Sequence, residues 1–177
     1  MTSAATDMEA TGLRTDASAA AYAQMLCPLA YTAAREGQLA EALAMTEEAR
    51  RSACRLPQAP PPGCLFPISP AAADLYAVGV HWALGDAGTA LEAGKDLRPD
   101  QLPTAERKAR LGTNMAQAWW AWNRPEQTAR ALLKAHRASP GEIRDRPAIR
   151  STVNELPERH PHTTGVRELH TAVSMAS

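Results

Sequence analysis

Apolar residues recur every three to four positions along most of the chain, and short breaks rich in Gly, Pro or Asn separate these stretches. This spacing places apolar side chains on one face of an α-helix, and no stretch keeps up the alternation of a β-strand. The pattern therefore predicts an all-α fold. The predicted helices span about 17–36, 38–55, 71–84, 86–97, 103–122, 125–138, 147–156 and 163–175.

The clearest unit lies between Asn114 and Pro140, where two apolar stripes flank one tight turn. The first stripe is rich in Trp and Ala, and the second is rich in Ala and Leu. Asn123 supplies the turn, and Pro125 suits the first position of the next helix because its fixed φ is already helical. This segment is predicted to form a helical hairpin.

The same arrangement recurs and resembles the tetratricopeptide repeat, a helical hairpin of roughly 34 residues. Its three turns fall at Gly37, Gly85 and Asn123. Small residues that let paired helices approach closely are expected at Ala42, Ala49, Ala90 and Ala135. A single hairpin cannot bury its apolar face, so we expect a right-handed stack of about three hairpins with C-terminal capping helices.

The chain has 177 residues, of which 45% are hydrophobic, enough for one helical core. A single domain is expected over residues 17–177, after a disordered polar tail at 1–16. Residues 56–70 contain six Pro and should form a loop. This loop is interpreted either as a rigid spacer or as a polyproline segment presented to a partner.

The sequence shows no membrane-spanning run and no leader peptide, so a cytoplasmic protein is expected. Cys27, Cys54 and Cys64 are an odd number of thiols without metal-ligand spacing, and we expect them to be reduced and packed as small apolar groups. A disulfide between Cys54 and Cys64 is the alternative.

Charge is unevenly spread, although the formal net charge is zero. Between Glu106 and Arg150 there are ten basic and four acidic residues. A basic helical face can attract nucleic acid or an acidic partner, but it is also typical of an ordinary solvated surface.

Catalytic patterns are weak. No Ser, Cys or His has the context of an activated nucleophile, and the glycines lie at turns or helix ends and not in a phosphate loop. His160, His162 and His170 lack the spacing typical of zinc ligands. We therefore predict no enzyme activity, no metal and no cofactor.

A resemblance to a known family rests on two segments, ERKARLGTNMAQAWWAWNRPEQTARALLKAHRASPGEIRDRPAIRSTVNEL and GVRELH. They are similar to the C-terminal region of actinobacterial helix-turn-helix transcriptional regulators, and the similarity extends over roughly residues 20 to 175. In that family the tetratricopeptide-like region follows a DNA-binding domain and is associated with ligand sensing or dimerisation. Residues 1–20 contain no helix-turn-helix pattern. The resemblance thus implies a binding role and, without a further domain, no direct binding of DNA.

The repeat register also implies a concave groove lined by the first helix of each hairpin. Its predicted residues are Tyr31, Arg35, Trp82, Arg110, Thr113, Asn114, Gln117 and Trp120. Asn114 would pair with the backbone of an extended peptide, and Arg110 would meet a carboxylate through two hydrogen bonds. The alternative is that these aromatic side chains pack in the core.

The leading hypothesis is a non-catalytic module that binds a peptide, protein or small ligand in this groove, with a homodimer as a further option and no membrane contact. One alternative is a nucleic-acid-binding regulator that acts through the basic C-terminal face. Another is a small all-helical enzyme.

Overall fold

The computed structural model describes residues 15–57 and 68–175. Within these ranges every regular element is a helix, which confirms the predicted all-α class. Two compact units divide the chain, Met1–Leu84 and Gly85–Ser177. The expectation of one domain over 17–177 stays a prediction. Most of the predicted tail and of the Pro-rich loop, with Cys64, lies outside the described residues.

In the described part of the first unit, three helices pack against one another. They are α1 (Asp16–Arg35), α2 (Leu39–Arg55) and α3 (Pro70–Ala83). Ala42 and Ala49 on α2 are buried at 0% and 1% exposure, as expected of positions where small side chains let helices approach. Arg50 of α2 also binds Asp74 of α3, with 2.6 Å between Nε and Oδ1, and this hydrogen bond raises the pKa of Arg50.

The second unit contains the remaining elements. They are α4 (Ala87–Gly94), a 3₁₀ turn (Pro99–Gln101), α5 (Ala105–Ala121), α6 (Pro125–Ala138), α7 (Gly141–Arg144), α8 (Pro147–Arg159) and α9 (Val166–Ser174). Helices α5 and α6 form the predicted hairpin, and α8 and α9 pack against α6. Their shared core contains Leu132, Ile149, Leu156 and Leu169, each at most 1% exposed.

Helices α5 and α6 approach each other closely at Gly112. A Cβ added there would lie 2.9 Å from the carbonyl oxygen of Ala131 and 2.9 Å from the Cβ of Ala135. The sequence correctly marked Ala135 as a close-contact position, but it did not identify Gly112 as its counterpart.

The three predicted turns share one backbone conformation. Gly37 and Gly85 have φ values of 76° and 81°, and Asn123 has a φ of 52°. Glycine adopts this left-handed region without steric cost, and Asn tolerates it better than most residues. Each of the three residues therefore supplies the left-handed position of a turn between two helices, and Asn123 does so although it carries a side chain.

Side-chain caps explain where several helices begin. The hydroxyl of Thr15 accepts a hydrogen bond from the backbone N–H of Ser18 at the start of α1. Ser69, Asp86 and Thr104 provide the same kind of cap for α3, α4 and α5. Such an oxygen satisfies a backbone donor that the first helical turn leaves unpaired.

Three predicted boundaries were wrong. Helix α4 ends at Gly94 instead of residue 97, because glycine disfavours the helix and Pro99 holds Arg98 in an extended conformation. Helix α8 passes through Pro157 to Arg159, since a proline in the last turn removes only one backbone donor. Helix α9 starts at Val166 because Gly165 is left-handed, with a φ of 84°.

Candidate ligand-binding site

The predicted groove residues are distributed over both units. Tyr31, Arg35 and Trp82 belong to the first unit, where Tyr31 and Trp82 are partly buried and Arg35 is exposed. The other five residues all lie on α5 in the second unit. The convergence of the aromatic side chains on one wall stays a prediction.

Arg110 meets a carboxylate through two hydrogen bonds, but that carboxylate belongs to this chain. Its Nε and Nη2 donate to Oε2 and Oε1 of Glu142, at 2.8 and 2.7 Å. Glu142 is only 7% exposed and also accepts from Nη1 of Arg146 at 3.3 Å. The same Arg146 nitrogen donates to the hydroxyl of Thr113 at 2.6 Å. Arg110 and Thr113 thus attach α5 to the segment from α7 to the start of α8.

Gln117 continues this polar contact one turn further along α5. Its Nε2 donates to the hydroxyl of Thr152 at 3.1 Å and to the carbonyl oxygen of Ala148 at 3.3 Å, both on α8. Arg110, Thr113 and Gln117 therefore lie on the face of α5 that holds α7 and α8. The repeat register did not predict these hydrogen bonds within the chain, because the partner residues are more than 30 positions away in the sequence.

Asn114 differs from its neighbours on α5. It is 5% exposed, yet none of the hydrogen bonds in the described part of the chain involves its side chain. Unlike Arg110, Thr113 and Gln117, Asn114 therefore has no side-chain hydrogen bond to a described residue.

Trp120 makes several contacts within the second unit. It packs against the apolar core of the second unit. The guanidinium carbon of Arg159 lies 4.7 Å from its ring centroid, and the ring of His160 approaches edge-on at 5.8 Å. These contacts agree with the packing alternative for Trp120, and ligand contact by this residue stays a prediction.

A pocket of about 310 Å³ opens elsewhere in the second unit, between the end of α4, the following loop, α5 and α6. Its lining residues are Gly94, Leu97, Pro99, Lys108, Leu111, Gly112, Met115, Trp119, Gln127, Arg130, Ala131 and Lys134. The volume falls at the lower end of the range of small-molecule sites, roughly 300 to 1,000 Å³. Trp119 stands edge-on to Trp122, with 6.1 Å between the ring centroids.

The charged side chains of this pocket are all basic. Arg130 is neutralised by Glu126, 2.7 Å away. Lys108 and Lys134 form no ion pair with any residue that the structure describes, and none of the described lining residues is acidic. The pocket therefore combines an apolar lining with two uncompensated ammonium groups. The sequence showed the basic excess of this half, but it gave no sign of the pocket, which depends on where the loop after α4 lies.

A second pocket of about 180 Å³ lies between α6, α7, α8 and α9. Its lining residues are His136, Pro140, Ile143, Arg144, Arg150, Val153, Asn154 and Val173. Arg144 pairs with Asp145, and this hydrogen bond lowers the pKa of the Asp145 carboxyl. The smaller volume makes this pocket the weaker candidate for a ligand.

Within the described ranges no three His, Cys, Asp or Glu side chains are grouped so that they could hold a metal ion. Cys27 is buried, as expected of a small apolar side chain, but Cys54 is exposed and the expectation was wrong for this residue.

In residues 15–57 and 68–175, none of the helices has the length and apolar character needed to cross a bilayer.

Comparison with known proteins gave no match to a family model, to a curated protein or to a solved structure.

Proposed function

We propose that this chain is a non-catalytic, tetratricopeptide-like binding module that senses a small ligand or peptide in transcriptional regulation. The observation that carries the proposal is the pocket between α4, α5 and α6, which combines an apolar lining with polar groups of one charge. Such a combination is characteristic of small-molecule sites, in which a few polar groups fix the orientation of a ligand held by apolar side chains. The helical hairpin and the left-handed turns at Gly37, Gly85 and Asn123 support the repeat architecture.

The arrangement of charge supports a nucleic-acid-binding regulator less well than it supports a ligand-binding module. Of the ten basic residues between Glu106 and Arg150, five form ion pairs with carboxylates of this chain: Arg110, Arg130, Arg137, Arg144 and Arg146. A paired guanidinium contributes less to phosphate binding because the carboxylate must first be displaced or left unpaired.

A fragment screen followed by NMR tests the proposed function. We expect binding fragments to shift the signals of Leu111, Met115 and Trp119, which line the pocket. Ala131→Leu should weaken this binding because the larger side chain fills space in the pocket. Ala121→Leu is the matched control, since Ala121 is exposed at the end of α5 and does not line the pocket. Shifts that are absent from the pocket, or that persist unchanged in Ala131→Leu, would contradict the proposal.

A further inference from the structure

The apolar part of the larger pocket is formed by side chains that adapt to a flexible or planar ligand. Leu111 and Met115 contribute an aliphatic surface, and Trp119 contributes an aromatic face. Methionine is unbranched and polarisable, so it adjusts to ligands of different shape. Gly112 also lines the pocket, and because it carries no side chain α5 and α6 can approach closely beside the pocket.

Charge selects among the ligands that this apolar lining would accept. Lys108 on α5 and Lys134 on α6 both line the pocket, the first half-buried and the second exposed. Because neither forms an ion pair with a described residue, an anionic group can bind without breaking an existing contact. The third basic side chain, Arg130, already has Glu126 as its partner. A cationic ligand would face two like charges, and a neutral one would leave both unused.

We propose that the pocket binds an amphipathic monocarboxylate, whose apolar chain or ring lies against Leu111, Met115 and Trp119 and whose carboxylate lies between Lys108 and Lys134. This inference rests on the proposed binding function and adds the chemical class of the ligand. Hydrogen bonds between an ammonium and a carboxylate are about twice as strong as neutral ones, so they supply both affinity and orientation.

The test uses three probes of equal chain length, octanoate, octanamide and octylammonium, titrated into the full chain and followed by NMR. The indole N–H of Trp119, assigned through Trp119→Phe, reports on the pocket. We expect octanoate to bind at least about tenfold more tightly than octanamide, a difference of about 1.4 kcal/mol, and octylammonium to bind most weakly. The preference for octanoate should decline as salt is added, because partly exposed charges are screened.

Charge variants separate the ammonium groups from the general basicity of the chain. The double variant Lys108→Gln/Lys134→Gln should bind octanoate and octanamide equally. The matched control is Arg107→Gln/Arg124→Gln, which removes the same charge from two residues that do not line the pocket and form no ion pair with a described residue. In Lys108→Glu/Lys134→Glu the preference should reverse in favour of octylammonium. Circular dichroism confirms that each variant keeps its helices.

The outcomes distinguish this inference from the proposed function. Equal binding of octanoate and octanamide at the Trp119 signal would overturn the carboxylate assignment while leaving a ligand-binding pocket. An octanoate preference that the control variant also loses would overturn the roles of Lys108 and Lys134. If no probe and no screened fragment perturbs the pocket, the proposed function itself fails.

Discussion

At the residue scale, Glu142 is a nearly buried carboxylate that faces two guanidinium groups. Glu142→Gln keeps its size but removes its charge, so Arg110 and Arg146 would face each other without a compensating anion. Because Arg110 and Arg146 remain partly open to solvent, we expect the free energy of unfolding to fall by about 1 to 3 kcal/mol. Urea denaturation followed by circular dichroism measures this change.

Glu106 provides the matched control for this prediction. It also binds Arg110, at 3.3 Å, but its side chain is 65% exposed. Exposed ion pairs contribute little, so Glu106→Gln should alter the stability by less than about 0.5 kcal/mol. Equal effects of the two substitutions would show that burial of Glu142 does not govern its contribution.

Asn114 and Gln117 offer a second comparison, because both are buried amides on α5 but only Gln117 has hydrogen-bond partners among the described residues. Gln117→Ala should destabilise the chain by about 1 to 3 kcal/mol, since Thr152 then loses a donor and a cavity is left. Asn114→Ala should cost clearly less, because no hydrogen bond is broken. Thermal unfolding of the two variants tests the order, and a larger loss for Asn114→Ala would contradict it.

At the scale of the elements, the hairpin of α5 and α6 depends on the absence of a side chain at Gly112. Alanine favours a helix over glycine by about 1 kcal/mol, so Gly112→Ala would stabilise an isolated α5. In the hairpin its Cβ would collide with the backbone of Ala131 and with Ala135. We expect a net destabilisation of about 1 to 3 kcal/mol, measured by urea denaturation.

Gly88 is the control for the Gly112 prediction. A Cβ at Gly88 would lie 3.2 Å from the ring of Trp122, which is 51% exposed and can move aside. Gly88→Ala should therefore be neutral or slightly stabilising. A stability gain in both variants would mean that α5 and α6 can separate at little cost.

The contact between α2 and its neighbours leads to a similar prediction in the first unit. Ala42 is fully buried with Ala30, Ala33, Ala34 and Val80. Ala42→Leu should overpack this cluster and destabilise the chain by about 1 to 3 kcal/mol. Ala40→Leu adds the same atoms to an exposed position of the same helix and should have little effect. An unchanged melting temperature for Ala42→Leu would contradict the assignment of Ala42 as a close-contact position.

Some features of the helices could be predicted from the sequence because they depend on residues that are close together in the chain. Apolar periodicity and proline positions predicted most of the helices, including the bounds of α6, because these signals act within one or two turns. The end of α4 could not be predicted from apolar periodicity, because it depends on the combined effect of Gly94 and Pro99. The partners of Arg110 and Gln117 could not be predicted, because they arise from the folding of α7 and α8 back onto α5. The pocket likewise requires the tertiary position of a loop.

At the scale of the whole molecule, the ion pairs determine how the charge is presented to a partner. The formal net charge is zero, so the chain as a whole has no excess positive charge to attract a polyanion. The basic residues that remain without a carboxylate partner in the described part of the second unit include Lys108 and Lys134, which lie in the pocket. Arg107 and Arg124 also lack such a partner but lie outside the pocket. Five of the ten basic residues between Glu106 and Arg150 are already paired with carboxylates, so they contribute less to the binding of a row of phosphates.

This distribution predicts the outcome of a titration with duplex DNA. Sequence-independent binding of DNA relies on several Lys or Arg side chains that each neutralise a phosphate and release counterions. At about 0.15 M salt we therefore expect no measurable binding of the chain to a labelled duplex at micromolar protein concentration, whereas octanoate should still bind in the pocket. Affinity that falls steeply with salt, with a slope equivalent to several phosphate contacts, would contradict this expectation. Loss of that affinity in Arg107→Gln/Arg124→Gln, with Lys108→Gln/Lys134→Gln unaffected, would then favour a nucleic-acid surface separate from the pocket.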